Sequence, residues 1–200
     1  MREWWLRTLL VLSAPRAVFV ALRGDDPDEV AVRAEPVLAI VLLAGVAFVL
    51  STHLTGRLLD EPDGPQGIVI AVWVFLAGFL YGGLAYWVVG GVLFWILRTL
   101  GSEGTYLRAR HLLAFAAVPV ALALAVWPVK LALYGGDLFH RGGSDRGAGA
   151  DVFDVIWLAA CLWAAALLAI GVRAVHGWTW WRAAVATAVP LAVGAGLALL

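Results

Sequence analysis

Long apolar runs separated by short polar turns make up most of this chain after residue 34. An α-helix needs about 20 predominantly apolar residues to cross a bilayer. Five runs approach that length, over residues 35–55, 68–97, 105–134, 151–172 and 181–199. The pattern predicts an all-α, polytopic membrane protein with five transmembrane helices.

The second run, residues 68–97, contains no charged residue. At 1.5 Å per residue it exceeds a hydrocarbon core of about 30 Å, yet it is too short for two spans and a turn. We predict one tilted or protruding helix. Gly78 and Gly82 form a GxxxG pair, with Gly90 two turns further on, and such a face lets another helix pack closely. Packing within the chain is the preferred use of this face, with dimerisation as the alternative.

Prolines and polar residues set the expected helix ends. Pro36 is predicted to occupy the first turn of the first span, where a missing N–H costs little. Thr105 is predicted to cap the third span, and Asp151 or Asp154 the fourth. Pro119 is predicted to kink the third span, because proline removes one backbone hydrogen bond. Residues 56–67 and 135–150 are expected to be loops.

The N-terminal segment, residues 1–30, differs from the transmembrane domain, residues 31–200. Apolar residues at near-helical spacing alternate there with arginines, and Pro15 interrupts the pattern. The segment is too charged to span a bilayer. It is predicted to be an interfacial amphipathic segment with tryptophans at headgroup depth.

Composition and charge support a membrane protein and give it an orientation. The chain is 63% hydrophobic and 14% charged, whereas soluble domains are about 25% charged. Net charge is zero, so nothing suggests nucleic acid. With five spans, ten arginines fall on the N-terminal side and four basic residues on the other, the latter being Arg57, Lys130, Arg141 and Arg146. The positive-inside rule then places the N-terminus in the cytoplasm and the C-terminus outside the cell membrane.

No pattern of catalytic or metal-ligating residues is present. The four histidines lie far apart in sequence, Cys161 is the single cysteine, and no acidic residue falls at mid-span. We therefore predict no catalytic residues, no metal and no cofactor, and a protein that is not an enzyme. Lys130 is the only candidate for an ionisable group at membrane depth, and it is expected to snorkel or to pair with an aspartate rather than to line a transport path.

Four short motifs follow one another along the chain. Residues 14–19 read APRAVF, residues 100–106 read LGSEGTY, and residues 113–119 read LAFAAVP. Residues 170–177 read IGVRAVHG and precede Arg182 and Ala183. In this order they resemble the Yip family, the Ypt-interacting proteins and their bacterial relatives. The resemblance covers most of the chain and implies a bacterial-type integral membrane protein with five spans and a cytoplasmic N-terminus. It carries over no catalytic motif.

The expected cytoplasmic side concentrates basic residues in two turns. Arg108, Arg110, Arg173, His176 and Arg182 are predicted to contact lipid headgroups or a partner, although ordinary positive-inside topology also explains them. The favoured function is a membrane scaffold, accessory or organising subunit. The alternative is a translocator of lipid or small solutes. Expected partners are membrane lipids, anionic ones included, and other membrane proteins or a second copy.

Overall fold

The structure is a computed structural model that describes residues 2–23, 26–51, 67–140 and 148–197. Within these ranges all regular secondary structure is helical, which confirms the all-α prediction. The α-helices are α1 (Arg2–Leu10), α2 (Pro15–Val20), α3 (Pro27–Ser51), α4 (Gly67–Thr99), α5 (Tyr106–Ala116), α6 (Val118–Ala123), α7 (Trp127–Tyr134), α8 (Ala148–His176) and α9 (Trp180–Leu197). Two 3₁₀ turns, Leu124–Val126 and Gly135–Phe139, flank α7.

Four of the described stretches are long and apolar enough to cross a membrane. They are Arg33–Ser51, Ile68–Thr99, Tyr106–Tyr134 and Gly149–His176. These stretches correspond to the first four predicted spans and confirm a polytopic membrane protein. Helix α9 has 18 residues, which gives a length of about 27 Å. A fifth span there remains a prediction.

Helix α3 begins earlier than the apolar pattern indicated. It starts at Pro27, so Pro36 lies inside the helix and its predicted first-turn position is wrong. Pro27 is the first residue of the helix, a position where the fixed φ of proline already matches the helical value. The Asp26 carboxylate accepts a hydrogen bond from the Asp28 N–H at 2.9 Å, which satisfies one free donor at this end. The predicted loop at residues 56–67 falls almost wholly outside the described residues.

Helix α4 is a single helix of 33 residues, as predicted, and it crosses α3 at glycines. A Cβ atom on Gly82 would collide with the carbonyl oxygen of Val41, and one on Gly78 would lie 2.8 Å from the Val46 nitrogen. On α3, a Cβ on Gly45 would lie 2.7 Å from the Gly82 Cα. The two backbones touch, which only residues without side chains permit.

The third predicted span is divided into shorter helical pieces. Thr105 caps α5 as predicted, since its hydroxyl accepts from the Arg108 N–H at 3.2 Å. The α-helix stops at Ala116 and resumes at Val118, and Pro119 falls in the first turn of α6. Pro119 has no N–H to donate to the carbonyl four residues earlier, so the interruption lies where the sequence predicted a kink. Pro128 occupies the equivalent position in α7.

The start of α8 and the preceding loop differ from expectation. Helix α8 begins at Ala148, so Asp151 lies in its first turn and neither Asp151 nor Asp154 is the capping residue. A carboxylate in the first turn is still favourable, because the helix N-terminus is positive. The predicted loop at 135–150 contains the 3₁₀ turn Gly135–Phe139. Residues 141–147 lie outside the described part of the chain.

The N-terminal helices share the core of the bundle. Helix α2 packs on α8, and α1 contacts α3. The Phe19 side chain is fully buried and belongs to the same apolar cluster as Leu112 and Val172. A Cβ on Gly171 would lie 2.9 Å from the Phe19 ring, so this glycine makes room for it. Helices α1 and α2 therefore dock on the transmembrane bundle, and the placement of this segment at the membrane interface remains a prediction.

Candidate functional site

The turn between α4 and α5 caps the C-terminal end of α4. Gly101 has a φ of +84°, the left-handed conformation in which glycine is favoured. The Ser102 N–H then bonds the Leu97 carbonyl at 2.9 Å. This bond satisfies a carbonyl at the helix end as in a Schellman motif. The Leu-Gly pair at residues 100–101 is thus a helix stop.

The turn between α8 and α9 is built in a similar way. Gly177 has a φ of +68°, and its N–H bonds the Arg173 carbonyl at 2.9 Å. The Ala183 N–H bonds the Thr179 carbonyl at 3.1 Å and begins α9. Two glycine-terminated helices, α4 and α8, therefore end in tight turns.

Side chains join these two turns directly. The Ser102 hydroxyl lies 2.8 Å from Nε2 of His176, and its oxygen also accepts from the Gly104 N–H at 3.1 Å. The other ring nitrogen of His176 lies 2.9 Å from the Val172 carbonyl oxygen. The imidazole therefore links the α4–α5 turn to the last turn of α8. The residue sets at 100–106 and 170–177 meet in space.

Two arginines satisfy carbonyl groups at the ends of these helices. Arg182, at the start of α9, donates to the Leu100 carbonyl and lies with its Cζ 4.2 Å from the Trp178 ring centre. Arg23, from the N-terminal segment, donates through Nε to the Ala174 carbonyl at 3.1 Å. A helix C-terminus carries partial negative charge, so cations are favourable at both places.

Arg173 and Arg108 lie on the same junction. The Arg173 guanidinium lies over the Trp180 ring at 4.6 Å. Arg108 lies beside the α4–α5 turn, because one of its guanidinium nitrogens would be 3.4 Å from a Cβ on Gly104, whose N–H bonds the Ser102 hydroxyl. We call Arg23, Arg108, Arg173, His176 and Arg182 the basic junction. Trp180 and Trp181 flank it with 56% and 78% of their surface exposed.

Arg110 lies elsewhere, in a pocket of three aromatic rings. Its Cζ atom is 4.1 Å from the Trp87 ring centre, 4.4 Å from that of Tyr106 and 5.0 Å from that of Tyr86. A Cβ on Gly90 would lie 2.6 Å from the Arg110 Cγ, so Gly90 admits the aliphatic stem. Such cation–π contacts are stabilising when desolvated. Arg110 thus fastens α5 to α4.

The predicted site residues therefore divide into three places. Arg108, Arg173, His176 and Arg182 meet at the basic junction, Arg110 is in the aromatic pocket with Gly90, and Gly78 and Gly82 form the α3–α4 crossing. No structural role was predicted for Gly45, Ser102 or Arg23. Ser102 belongs to the LGSEGTY motif at residues 100–106, and that motif is the feature of the sequence that could have indicated its role. Gly45 and Arg23 lack any local pattern that separates them from other glycines and arginines.

Side chains with other chemistry are dispersed. Among residues 2–23, 26–51, 67–140 and 148–197, no three His, Cys, Asp or Glu side chains come together as a metal site would require. Cys161 is a free thiol on α8. The Lys130 ammonium lies 5.3 Å from the Trp127 ring centre and 5.8 Å from that of Phe153, so aromatic rings hold it between α7 and α8.

The fold is that of a polytopic helical membrane protein. Its α4–α5 and α8–α9 turns contact each other and form one basic surface that is flanked by tryptophans. A family model describes this class of chain. The Yip1 domain model matches residues 9–200, and the protein belongs to that family, as its motifs indicated. The match includes α2, both turns and α9. No curated protein and no solved structure matches the chain.

Proposed function

We propose that this Yip1-family protein is a non-enzymatic scaffold or accessory subunit of the cell membrane whose basic junction binds anionic lipid headgroups. The observation that carries the proposal is that Arg23 and Arg182 bond carbonyls at the ends of α8 and α4. Arg108 and Arg173 lie on the adjoining turns, beside exposed tryptophans. Tryptophans prefer headgroup depth, and guanidinium forks match phosphate geometry.

Stacking prepares these arginines for a phosphate ligand. Arg173 lies against Trp180 and Arg182 against Trp178, so each guanidinium plane is oriented before a headgroup arrives. Less side-chain freedom is lost on binding as a result. Arg182 also donates one N–H to the Leu100 carbonyl and the Nε of Arg173 is buried, so a headgroup would bind the remaining guanidinium nitrogens. Each basic residue near an anionic leaflet contributes about 1 kcal/mol, so four suffice to retain a lipid.

The proposed orientation puts the basic junction in the cytoplasm and α9 across the membrane as the fifth span. Helix α9 packs on α4 and α8, and its first turn is attached to Leu100 by Arg182. Packing beside two apolar helices supports an α9 that runs through the bilayer with them. The ten-to-four distribution of basic residues supports a cytoplasmic N-terminus.

The translocator alternative has less support. A path for a polar solute needs polar or ionisable groups at membrane depth. Lys130 was the only candidate for an ionisable group along such a path. Its ammonium lies against Trp127 and Phe153 near the end of its helix. The scaffold proposal is therefore preferred. Its partners are anionic lipids, and through them other membrane proteins or a second copy.

Native mass spectrometry of the purified protein tests headgroup binding. The test variant replaces Arg23, Arg108, Arg173 and Arg182 by Gln and is compared with wild type for retained phosphatidylglycerol and cardiolipin. A matched control replaces the four basic residues of the other group, Arg57, Lys130, Arg141 and Arg146. We expect loss of lipid in the test variant alone. Equal retention in all three proteins contradicts the proposal.

A second variant is used if the fourfold substitution unfolds the basic junction. Arg108→Gln with Arg173→Gln leaves the Arg182 contact to Leu100 in place. This double variant is expected to keep the thermal stability of wild type within about 1 kcal/mol, since each lost cation–π or surface contact is small. It should still retain less anionic lipid than wild type.

A further inference from the structure

A cavity lies between the helices, away from the basic junction. Its volume is about 460 Å³, and it is partly open to its surroundings. Helices α3, α4, α5, α6, α8 and α9 all contribute to its wall. Glycine and alanine supply 11 of the 23 lining residues, so the space exists because small side chains face one another there. Tight packing would otherwise fill such a gap.

The wall of the cavity is suited to hydrocarbon. It contains no charged residue, and the side chains with a polar atom are those of Tyr81, Tyr86, Trp157 and Cys161. A buried water needs two to four polar partners, which this wall supplies poorly. Apart from α9, the lining residues fall within the four stretches able to cross a membrane. The surrounding solvent at that depth is lipid chains.

The size of the cavity selects among apolar occupants. A helix about 10 Å across needs roughly 420 Å³ for each 5.4 Å turn, so the cavity would take only one turn of a partner helix. A methylene group is about the size of a water molecule, which occupies about 30 Å³. The cavity thus accommodates about 15 such groups, which is the length of one membrane acyl chain.

We propose that this cavity binds one acyl chain of a bilayer phospholipid. The site lies beyond the proposed function, because it holds hydrocarbon by burial and does not require the arginines of the basic junction. An inserted chain would fill the gap that small residues leave among these helices and would stabilise the bundle by burying apolar surface.

Photo-crosslinking tests this proposal with a defined probe. The full chain is placed in lipid nanodiscs with phosphatidylcholine that carries a diazirine midway along one acyl chain. This headgroup has no net charge, so labelling of the cavity cannot be attributed to attraction of an anionic lipid to the basic junction. After irradiation, peptide mapping should place adducts on the cavity wall of α8, around Cys161 and Ala165. Adducts spread evenly over outward-facing residues such as Leu158 would overturn the proposal.

Gly194 offers a clean way to fill the cavity. It lines the wall, and a Cβ placed on it meets no atom within 4 Å. Gly194→Leu should reduce the α8 adducts by about tenfold or more, which corresponds to a modest loss of binding free energy. Gly196 is the matched control, since its Cβ also meets nothing and it is not a lining residue. Gly196→Leu should label as wild type does.

Two further readouts keep the outcome decisive. If Gly194→Leu does not fold, Ala195→Leu on the same wall gives the same test. Undiminished α8 labelling in a folded cavity-filling variant overturns the proposal. So does a wild-type protein that resists labelling and is dimeric by native mass spectrometry, because a second copy then fills the space. Loss of headgroup retention in the arginine variants leaves this chain-labelling result unaffected, which separates the two proposals.

Discussion

Ser102 and His176 bind each other across two turns, with the hydroxyl oxygen 2.8 Å from Nε2 of the imidazole. The Val172 carbonyl can only accept a hydrogen bond, so the Nδ1 atom that faces it at 2.9 Å must carry a proton. In the neutral ring, Nε2 is then the acceptor and the Ser102 hydroxyl is the donor. The serine oxygen still accepts from Gly104, so every polar atom in this link is satisfied.

Removing the Ser102 hydroxyl should uncouple the two turns. Ser102→Ala leaves Nε2 of His176 without its donor in a part-buried place, and we expect a loss of about 1 kcal/mol in the free energy of unfolding. Thermal unfolding in detergent measures this. Thr99→Ala is the control, because that hydroxyl is exposed and bonds only the Ile96 carbonyl of its own helix. Equal stability of the two variants would show that the link contributes nothing.

The glycine crossing of α3 and α4 predicts a difference between two adjacent residues. Gly82→Ala places a Cβ against the Val41 carbonyl oxygen, whereas a Cβ at Gly83 meets nothing within 4 Å. Alanine is a better helix former than glycine by about 1 kcal/mol. Gly83→Ala should therefore be neutral or stabilising, and Gly82→Ala should lower thermal stability or yield. If both variants behave alike, the crossing is not as close as the structure shows.

The contact between α2 and α8 predicts a rescue experiment. Gly171→Ala would press on the Phe19 ring, which is fully buried and has no room to withdraw. Overpacking of this kind costs about 1–3 kcal/mol. Phe19→Leu should be destabilising alone, yet partly restore Gly171→Ala when the two are combined. Hydrogen exchange of α2 measures the effect, and additive losses in the double variant would argue against direct contact.

The long apolar runs were sufficient to predict the helices that dominate this fold. A run such as that of α4 can only be a membrane helix, because no other element hides so many apolar residues. Helix ends were predicted less well. Pro36 and Asp151 carry the right chemistry for a helix start, but Pro27 and Ala148 begin the helices instead, since polar turns can extend a helix beyond its apolar part.

The site was predictable only in part, for a physical reason. Arginine enrichment in two turns on the same predicted side of the membrane indicated a basic surface. Arg110 was expected on that surface, yet it lies in the aromatic pocket of Tyr86, Trp87 and Tyr106. Which neighbour an arginine takes depends on helix rotation and on gaps such as Gly90. A single sequence does not reveal that geometry.

The location of the C-terminus is the prediction that separates four spans from five. With the N-terminus in the cytoplasm, an α9 that crosses the membrane puts the C-terminus outside, whereas an α9 that stays at the surface leaves it inside. We expect it outside, because α9 packs along α4 and α8 and begins at the same junction where those helices end. A hydrophobic helix between two spans avoids exposure to water by following them through the bilayer.

Paired reporters on the C-terminus measure this directly. Alkaline phosphatase, which is active only outside the cytoplasm, should be active in the fusion, and a cytoplasm-dependent fluorescent protein should be dark. Truncation before Trp180 is the control, since it removes α9 and should reverse both signals. A fluorescent full-length fusion would instead place α9 at the surface of the membrane and leave the protein with four spans. The basic junction would then still face the cytoplasm, because Arg108 and Arg173 lie before α9 in the chain.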